Sequence, residues 1–251
     1  MGTSGWAYGH WKSLFYPEDV RPPRYLEHYS RRFSTVEVNT SFYHLPLAST
    51  YAKWARETGE GFCFALKLSR YITHIKRLSG VKAETRLFLE RAEPLGGKLG
   101  PILVQLPPQL RADPPRLERF LSMIRSLEEE RGARVRLAFE FRHESWFGSE
   151  AALAALVRHD AALVIGQSSR YPYPEGEPLT ARWLYYRFHG PREFCASEYG
   201  REGLAPWARA LAARLAQGRD VYAYFNNDVH GYAARDAALL MDLVAAERGT
   251  K

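Results

Sequence analysis

Short runs of β-branched and aromatic residues alternate with longer amphipathic stretches along the whole chain, the order expected of a parallel sheet wrapped by helices. Eight runs read as strands: Gly2 to Ser4, Thr35 to Asn39, Phe62 to Leu68, Ile102 to Leu106, Val135 to Phe141, Ala162 to Ile165, Trp183 to His189 and Val221 to Asn226. Between them, apolar positions fall at helical spacing. Leu117, Phe120, Leu121, Ile124 and Leu127 form one stripe behind Asp113, read as the N-cap, and Pro115, read as the first helical residue. Trp207, Leu211 and Leu215 repeat the stripe after Pro206, and Ala237, Leu240, Met241 and Val244 repeat it near the end of the chain. Tyr25, Tyr29 and Phe33 recur at steps of four, and Leu47, Tyr51 and Trp54 follow a similar spacing, so both sets read as packing.

This alternation over 251 residues predicts the α/β class, a TIM-like (β/α)8 barrel forming a single domain over 1–251. Two connections, Gln167 to Arg182 and Gly190 to Gly203, are long for such a barrel. A third, Ser69 to Gly80, carries Arg70, Tyr71, His74, Lys76 and Arg77. All three follow strand C-termini, the face on which barrel enzymes build their sites.

Alternate residues of a barrel strand face the helices and the lumen, so each strand divides by parity. In the fifth strand Val135, Leu137, Phe139 and Phe141 oppose Arg136, Ala138, Glu140 and Arg142; in the third, Phe62, Phe64, Leu66 and Leu68 oppose Cys63, Ala65, Lys67 and Ser69. The same division holds in the second, fourth, seventh and eighth strands. In all six the lumen set ends in a group that ionises or hydrogen-bonds: Glu37 and Asn39, Lys67, Gln105, Glu140 and Arg142, Arg187 and His189, and Asn226. Buried charges without partners lose several kcal/mol of hydration, so these groups are expected to meet at one mouth and satisfy one another, water or a ligand. Trp6, Tyr8, Tyr43 and Trp146 follow strand ends as wall or packing residues, and Asp228 is read as the cap of the last helix.

The segments Gly2-Thr-Ser-Gly-Trp-Ala-Tyr8, with Ala7 before the tyrosine, Val36-Glu-Val-Asn-Thr-Ser-Phe-Tyr43, Phe64-Ala-Leu-Lys67 with Ile72-Thr-His74, and Val104-Gln-Leu-Pro-Pro108 resemble the YecE-like family, domain of unknown function 72. Glu140-Phe-Arg-His-Glu-Ser-Trp-Phe147, Arg187-Phe-His-Gly190 and Tyr224-Phe-Asn-Asn-Asp228 extend the resemblance nearly end to end. It implies a TIM barrel and supplies no reaction, so its motif positions carry over as site-lining residues. The family pattern has a few strand residues before Gly-Thr-Ser-Gly-Trp; the first strand is therefore expected to be clipped, and barrel closure to be weakest at that seam.

Composition sets outer bounds. With 46% apolar and 25% charged residues the chain is that of a globular protein, not a disordered one. The longest apolar run, Ala151 to Val157, is seven residues, too short for a transmembrane helix. The first residues have neither the basic nor the apolar region of a signal peptide, so a cytoplasmic location is expected and no membrane partner. Cys63 and Cys195 stand 132 positions apart and are read as reduced, buried thiols. Thirty-five basic residues against 28 acidic ones leave +7, and 28 of the basic residues are arginines, suited to carboxylate or phosphate. Most of these arginines interleave with glutamates on solvated faces, as between Arg116 and Arg134.

Nucleotide-loop, zincin and nucleophile-elbow signatures are absent. No cofactor is identified and no metal ligand set is assigned. The leading reading is an enzyme on an anionic small molecule. In it Glu37, Glu140, His189, Lys67 and His74 are the catalytic candidates, and Asn39, Gln105, Arg142, Arg187, Asn226, Tyr43 and Trp146 the substrate-binding ones. The alternative is a nucleic-acid-binding or processing protein, in a metal-dependent variant if His74, Glu37, Glu140, His189 and Asp228 supply ligands. A two-carboxylate glycosidase and a non-enzymatic scaffold are weaker readings, the first because cationic neighbours disfavour a neutral sugar.

Overall fold

The computed structural model describes residues 1–174 and 176–249. Eight parallel strands form one sheet: β1 (Gly2–Thr3), β2 (Thr35–Val38), β3 (Cys63–Lys67), β4 (Leu99–Gln105), β5 (Leu137–Glu140), β6 (Ala162–Gln167), β7 (Leu184–Phe188) and β8 (Val221–Phe225). The hydrogen-bonded order is β1-β8-β7-β6-β5-β4-β3-β2, a TIM-like barrel nearly closed on itself. Around it lie α1 (Tyr25–Ser30), α2 (Thr40–Tyr43), α3 (Ala48–Glu57), α4 (Lys82–Ala92), α5 (Pro114–Arg131), α6 (Glu150–Arg158), α7 (Gly200–Ala216) and α8 (Tyr232–Gly249). Among the described residues no α-helix intervenes between β6 and β7, where a loop of the expected length crosses instead. No helix among them is long and apolar enough to cross a membrane.

The helices obey the sequence pattern, with two departures. Asp113 caps α5 by accepting a hydrogen bond from the Arg116 amide at 3.0 Å, and Leu117, Phe120, Leu121, Ile124 and Leu127 are all buried. The seventh helix was expected to start after Pro206; α7 begins at Gly200 and carries Pro206 inside it. Asp228 precedes the turn into α8, yet its side chain makes no capping bond. Its backbone carbonyl instead accepts from Trp11 Nε1 at 3.1 Å and lies 2.9 Å from His10 Nε2.

Two hydrophobic cores follow the parity of the strands. The larger lies between sheet and helices and takes Phe64, Leu66, Ile102, Val104, Leu137, Phe139, Tyr186, Phe188 and Phe225. The smaller fills the lumen with Ala65, Leu103, Ala138, Ala162, Val164, Trp183, Tyr185 and Tyr224, joined by partly buried Tyr222. Small residues on β3, β5 and β6 face bulky ones on β7 and β8, so the filling interdigitates. The Tyr224 hydroxyl reaches across to Thr35 Oγ1 at 2.7 Å. This aromatic plug is the floor on which the mouth residues stand.

The seam between β1 and β2 lacks a hydrogen-bonded ladder, and β1 pairs only with β8. Tyr29 from α1 spans the gap. Its hydroxyl accepts from the Thr3 amide at 2.9 Å and donates to the Thr35 carbonyl at 3.0 Å. Gly2 permits this approach, since a Cβ there would stand 2.1 Å from the Thr35 carbonyl oxygen.

Candidate functional site

At the C-terminal mouth, Arg187 from β7 stands among side chains from strands that do not pair with its own. Its Nε donates to Glu37 Oε2 at 2.9 Å and its Nη2 to Glu37 Oε1 at 2.8 Å, a bidentate pair with β2. Its Nη1 donates to Glu140 Oε2 on β5 and lies 3.3 Å from His189 Nε2. At this layer β6 offers Gly166, which has no side chain to stand between Arg187 and Glu140. Glu140 Oε1 accepts from Arg142 Nε at 2.8 Å, and Tyr185 donates its hydroxyl to Glu37 Oε2 at 2.7 Å. The Asn226 amide lies 3.2 Å from His189 Nδ1. Gln105 pairs in register with Glu140, and its buried Oε1 has no hydrogen-bond partner among the described residues.

Lys67, at the end of β3, differs from its neighbours. Its Nζ lies 4.1 Å from the centroid of the Phe42 ring and makes no hydrogen bond or ion pair among the described residues. Both nearby carboxylates are already taken by arginines. Lys67 faces a cleft of about 680 Å³ together with Asn39, Arg142, Arg187 and Asn226. Aromatic and apolar groups wall it: Trp6, Tyr8, Tyr43, Trp54 and Phe194. Asn39 donates to the Ser4 carbonyl at 3.1 Å, leaving its buried Oδ1 without a partner among the described residues.

Electrostatics sort these groups into fixed and movable charges. Burial opposes the ionised form of Glu37, but Arg187 outweighs it and holds the carboxyl below its usual range. The same contest holds Glu140 well below that range, with Arg187 and then Arg142 as the winning charges. Both acids are therefore permanent anions near neutrality. Burial and then Arg187 lower His189 to about 4, and burial and then Lys67 lower His74 to about 4, so both rings are neutral at pH 7. Burial, followed by Arg187, brings Lys67 down to about 7. Of the five catalytic candidates, Lys67 alone changes charge close to neutral pH.

A profile of the family described as "Protein of unknown function DUF72" matches residues 1–251. The chain belongs to the DUF72 family. It is 26% identical over 280 residues to the UPF0759 protein YunF of Bacillus subtilis, covering 98% of this chain and 95% of that one. The UPF0759 protein YecE of Escherichia coli matches at 31% over 107 residues, 43% of this chain and 37% of the relative. A DUF72 crystal structure from Thermotoga maritima superposes with a TM-score of 0.83 at 26% identity, covering 97% of this chain and 98% of that one. One from Enterococcus faecalis, at 22% identity and a TM-score of 0.80 over 97% of this chain and 94% of that one, shares the fold.

Within this DUF72 barrel, the structure gathers Glu37, Lys67, Glu140, Arg142, Arg187, His189 and Asn226 at the mouth, with Gln105 beside them on β4. Tyr43 is exposed and lines the cleft. Six of the twelve expected site residues lie outside that lining: Glu37, Gln105, Glu140 and His189 are buried behind it in the charged layer, and Trp146 and His74 stand apart. Trp146 packs face to face on Phe141 at 4.3 Å and donates Nε1 to the Leu110 carbonyl at 2.8 Å, so it is a core residue beneath the loop. His74 sits half-buried in the turn Tyr71–Ile75, edge-on to Phe42 at 5.0 Å. Cys63 and Cys195 are partly buried, not buried as expected. Cys195 Sγ accepts from Asn226 at 3.3 Å, and burial pushes its thiol up to about 11, which leaves it protonated. Among the described residues no three His, Cys, Asp or Glu side chains are grouped as metal ligands.

The sequence pattern passed over several groups that shape this DUF72 cleft. Lys53, Trp54 and Glu57 of α3 line one side, and Phe194 of the loop after β7 another. Phe194 stacks on His189 at 5.4 Å, while Tyr171 of the β6–β7 loop meets Phe194 edge-on and lies under the Arg142 guanidinium at 4.3 Å. Both long loops thus close over the charged layer. The helical spacing of Tyr51 and Trp54 in α3 was a visible signal, read as packing; Tyr51 is indeed core, whereas Trp54 reaches the cleft.

Proposed function

We propose that this DUF72 protein is an enzyme acting on an anionic substrate, phosphate- or carboxylate-bearing, by acid/base chemistry at the C-terminal mouth. One imbalance supports the reading. Lys67, Arg142 and Arg187 bring three cationic groups to a layer where Glu37 and Glu140 supply two anionic ones. Burial makes an uncompensated charge expensive, so the layer either loses a proton from Lys67 or gains an anion. Arg187 is committed to the carboxylates. Arg142, bound to Glu140 through Nε, and Lys67 are the groups that hold the substrate's charge. Glu37 and Glu140 act as a fixed frame, and Lys67 is the group that exchanges a proton near neutrality. Asn39, which lines the cleft with an unpartnered carbonyl oxygen, orients donor groups of the substrate.

The test is a panel of small phosphates and carboxylates, read by thermal shift and turnover. A ligand present at 100 times its Kd stabilises by about 2.7 kcal/mol. The expected result is a stabilising, consumed compound whose turnover is abolished by Lys67→Ala in a folded protein. A panel in which no anion shifts the wild-type transition overturns the reading.

A nucleic-acid partner is the second reading, favoured by Trp6, Tyr43 and Trp54 beside cations, which suits a stacked base. Against a long phosphate track, Arg24, Arg31, Arg134, Arg158 and Arg182 on the outer surface are each paired with a carboxylate. Binding of labelled single-stranded DNA that weakens steeply with salt would restore it.

A further inference from the structure

We infer that Lys67 is a nucleophile, forming an imine with the carbonyl group of an oxo acid or another anionic carbonyl compound in the cleft. The inference rests on the anion-binding reading and adds covalent chemistry to it.

The geometry favours attack over simple charge pairing. A lysine that serves as a counter-ion touches its carboxylate, whereas the Lys67 ammonium position touches the Phe42 face, and both carboxylates of the layer are bonded to guanidinium groups. The amine stands at the wall of a cleft large enough for a small metabolite, flanked by Asn39 and Arg142. Arg142 can take the carboxylate or phosphate of a ligand while the amine meets its carbonyl. Apolar surroundings and adjacent guanidinium groups are the conditions under which a lysine amine becomes nucleophilic.

The groups facing Lys67 come from every side of the barrel: Glu37 on β2, Phe42 on α2, His74 in the turn after β3, Glu140 and Arg142 around the end of β5, and Arg187 on β7. Burial and the two arginines lower the amine to about 7, against the two carboxylates, which raise it. An ordinary lysine is neutral in roughly one molecule in 2,500 at pH 7, so Lys67 presents its lone pair far more often than an exposed lysine.

The step balances without a further reactant. The nitrogen lone pair forms the C–N bond as the carbonyl π pair moves to oxygen. The two protons of the amine leave with that oxygen as water, and protonation of the imine nitrogen from solvent gives the iminium. The iminium restores a positive charge beside the ligand's anion and draws electrons from the neighbouring carbon. The Trp6, Tyr43 and Trp54 walls admit an apolar or planar substituent.

The experiment uses pyruvate and phenylpyruvate with cyanoborohydride, on the whole chain, read by intact mass and peptide mapping from pH 6 to 9. The expected result is a reduced adduct at Lys67 in at least about tenfold excess over all other lysines, rising with pH to a plateau above neutrality and absent in Lys67→Arg. Adducts spread over Lys12, Lys53, Lys76 and Lys82, or none at all, overturn the imine. Thermal shift with the same two acids, without reductant, separates the two ideas. Stabilisation without trapping removes the imine and leaves the anion reading standing; an outcome with neither stabilisation nor trapping removes the imine, and the anion reading then stands or falls with the wider panel of phosphates and carboxylates. Equal trapping of neutral acetone at Lys67 keeps the nucleophile and removes the anionic requirement. Lys67→Arg is checked for a cooperative thermal transition. If it fails to fold, protection of Lys67 from cyanate by phenylpyruvate in wild type decides the same point, and an unprotected Lys67 overturns the imine.

Discussion

Arg187 and Glu37, 150 residues apart in the chain, meet across the barrel lumen through two hydrogen bonds of 2.9 and 2.8 Å with both side chains buried. The pair joins β7 to β2, which share no ladder, and the third guanidinium nitrogen extends the link to Glu140 on β5. Replacing the guanidinium with an uncharged chain strands two carboxylates. Arg187→Met is therefore expected to cost about 3–5 kcal/mol in urea denaturation. A loss below about 1 kcal/mol would show that the carboxylates find other partners.

Acid sensitivity should begin with the imidazole. His189 has a folded value of about 4 against about 6.5 in an unfolded chain, so the unfolded state binds more protons between those limits. The sign is that stability is fully present above about pH 6.5 and falls as pH drops toward 4. Glu37 and Glu140 are also lowered, so their contribution is present above the unfolded carboxylate value, about 4.3, and is lost below it as pH falls through their folded values. His189→Asn should make the pH 6.5 to 4 slope in thermal melts shallower, with the remainder carried by His74, which is lowered over the same window, and leave the steeper loss at lower pH. An unchanged slope would mean that His189 is not the group responsible.

Lys67 predicts a substitution that stabilises while it disarms. Below about pH 7 the folded protein carries a buried ammonium without a carboxylate contact; between about 7 and about 10.4 only the unfolded chain holds the proton, so this cost fades across that window and is gone above it. Lys67→Met should raise stability on the order of 2–4 kcal/mol at pH 6, with the gain shrinking steadily toward pH 10. A gain that is independent of pH would trace to packing alone.

Trp146 separates core from site. Trp146→Phe removes the hydrogen bond to the Leu110 carbonyl and part of the stack on Phe141, a loss of about 1–3 kcal/mol. Ligand-induced thermal shifts should be the same size as in wild type, because the ring lies outside the cleft. Loss of ligand response at unchanged stability would contradict that placement.

The weak seam is testable at one hydroxyl. Tyr29→Phe leaves the Thr3 amide and the Thr35 carbonyl without their shared partner, at a cost of about 1–3 kcal/mol. Hydrogen exchange at Thr3 should accelerate more than exchange in β4 and β5. Uniform acceleration across the barrel would show that the seam opens only with global unfolding.

Much of this was legible in the chain because barrel geometry converts sequence parity into direction. All eight strands stand where alternation placed them, and Ala65, Ala138 and Tyr224 face the lumen as their positions require. The convergence of Glu37, Lys67, Glu140 and Arg187 follows from the same rule. Partner choice did not, because parity says which face a side chain takes and nothing about the angle it adopts there. That Arg187 rather than Lys67 captures both glutamates depends on reach and fork geometry, and this leaves Lys67 without a carboxylate contact. Trp146 misled because a tryptophan after a strand end looks alike whether it walls a cleft or roofs a core. Phe194 was hidden because a loop's contribution to a cleft carries no period, and Trp54 because helical spacing from Tyr51 looks alike whether the ring packs in a core or reaches a cleft. The bridging of the β1–β2 seam by Tyr29 carried no signal in the sequence and required the third dimension.

The aromatic plug has a consequence for traffic. With Trp183, Tyr185 and Tyr224 filling the bore below Arg187, the lumen is plugged beneath the mouth, which is therefore a cul-de-sac. For the proposed reaction, reactant and product would share that mouth in turn, so a lingering product would obstruct the next arrival, and inhibition by product is expected to be competitive with substrate.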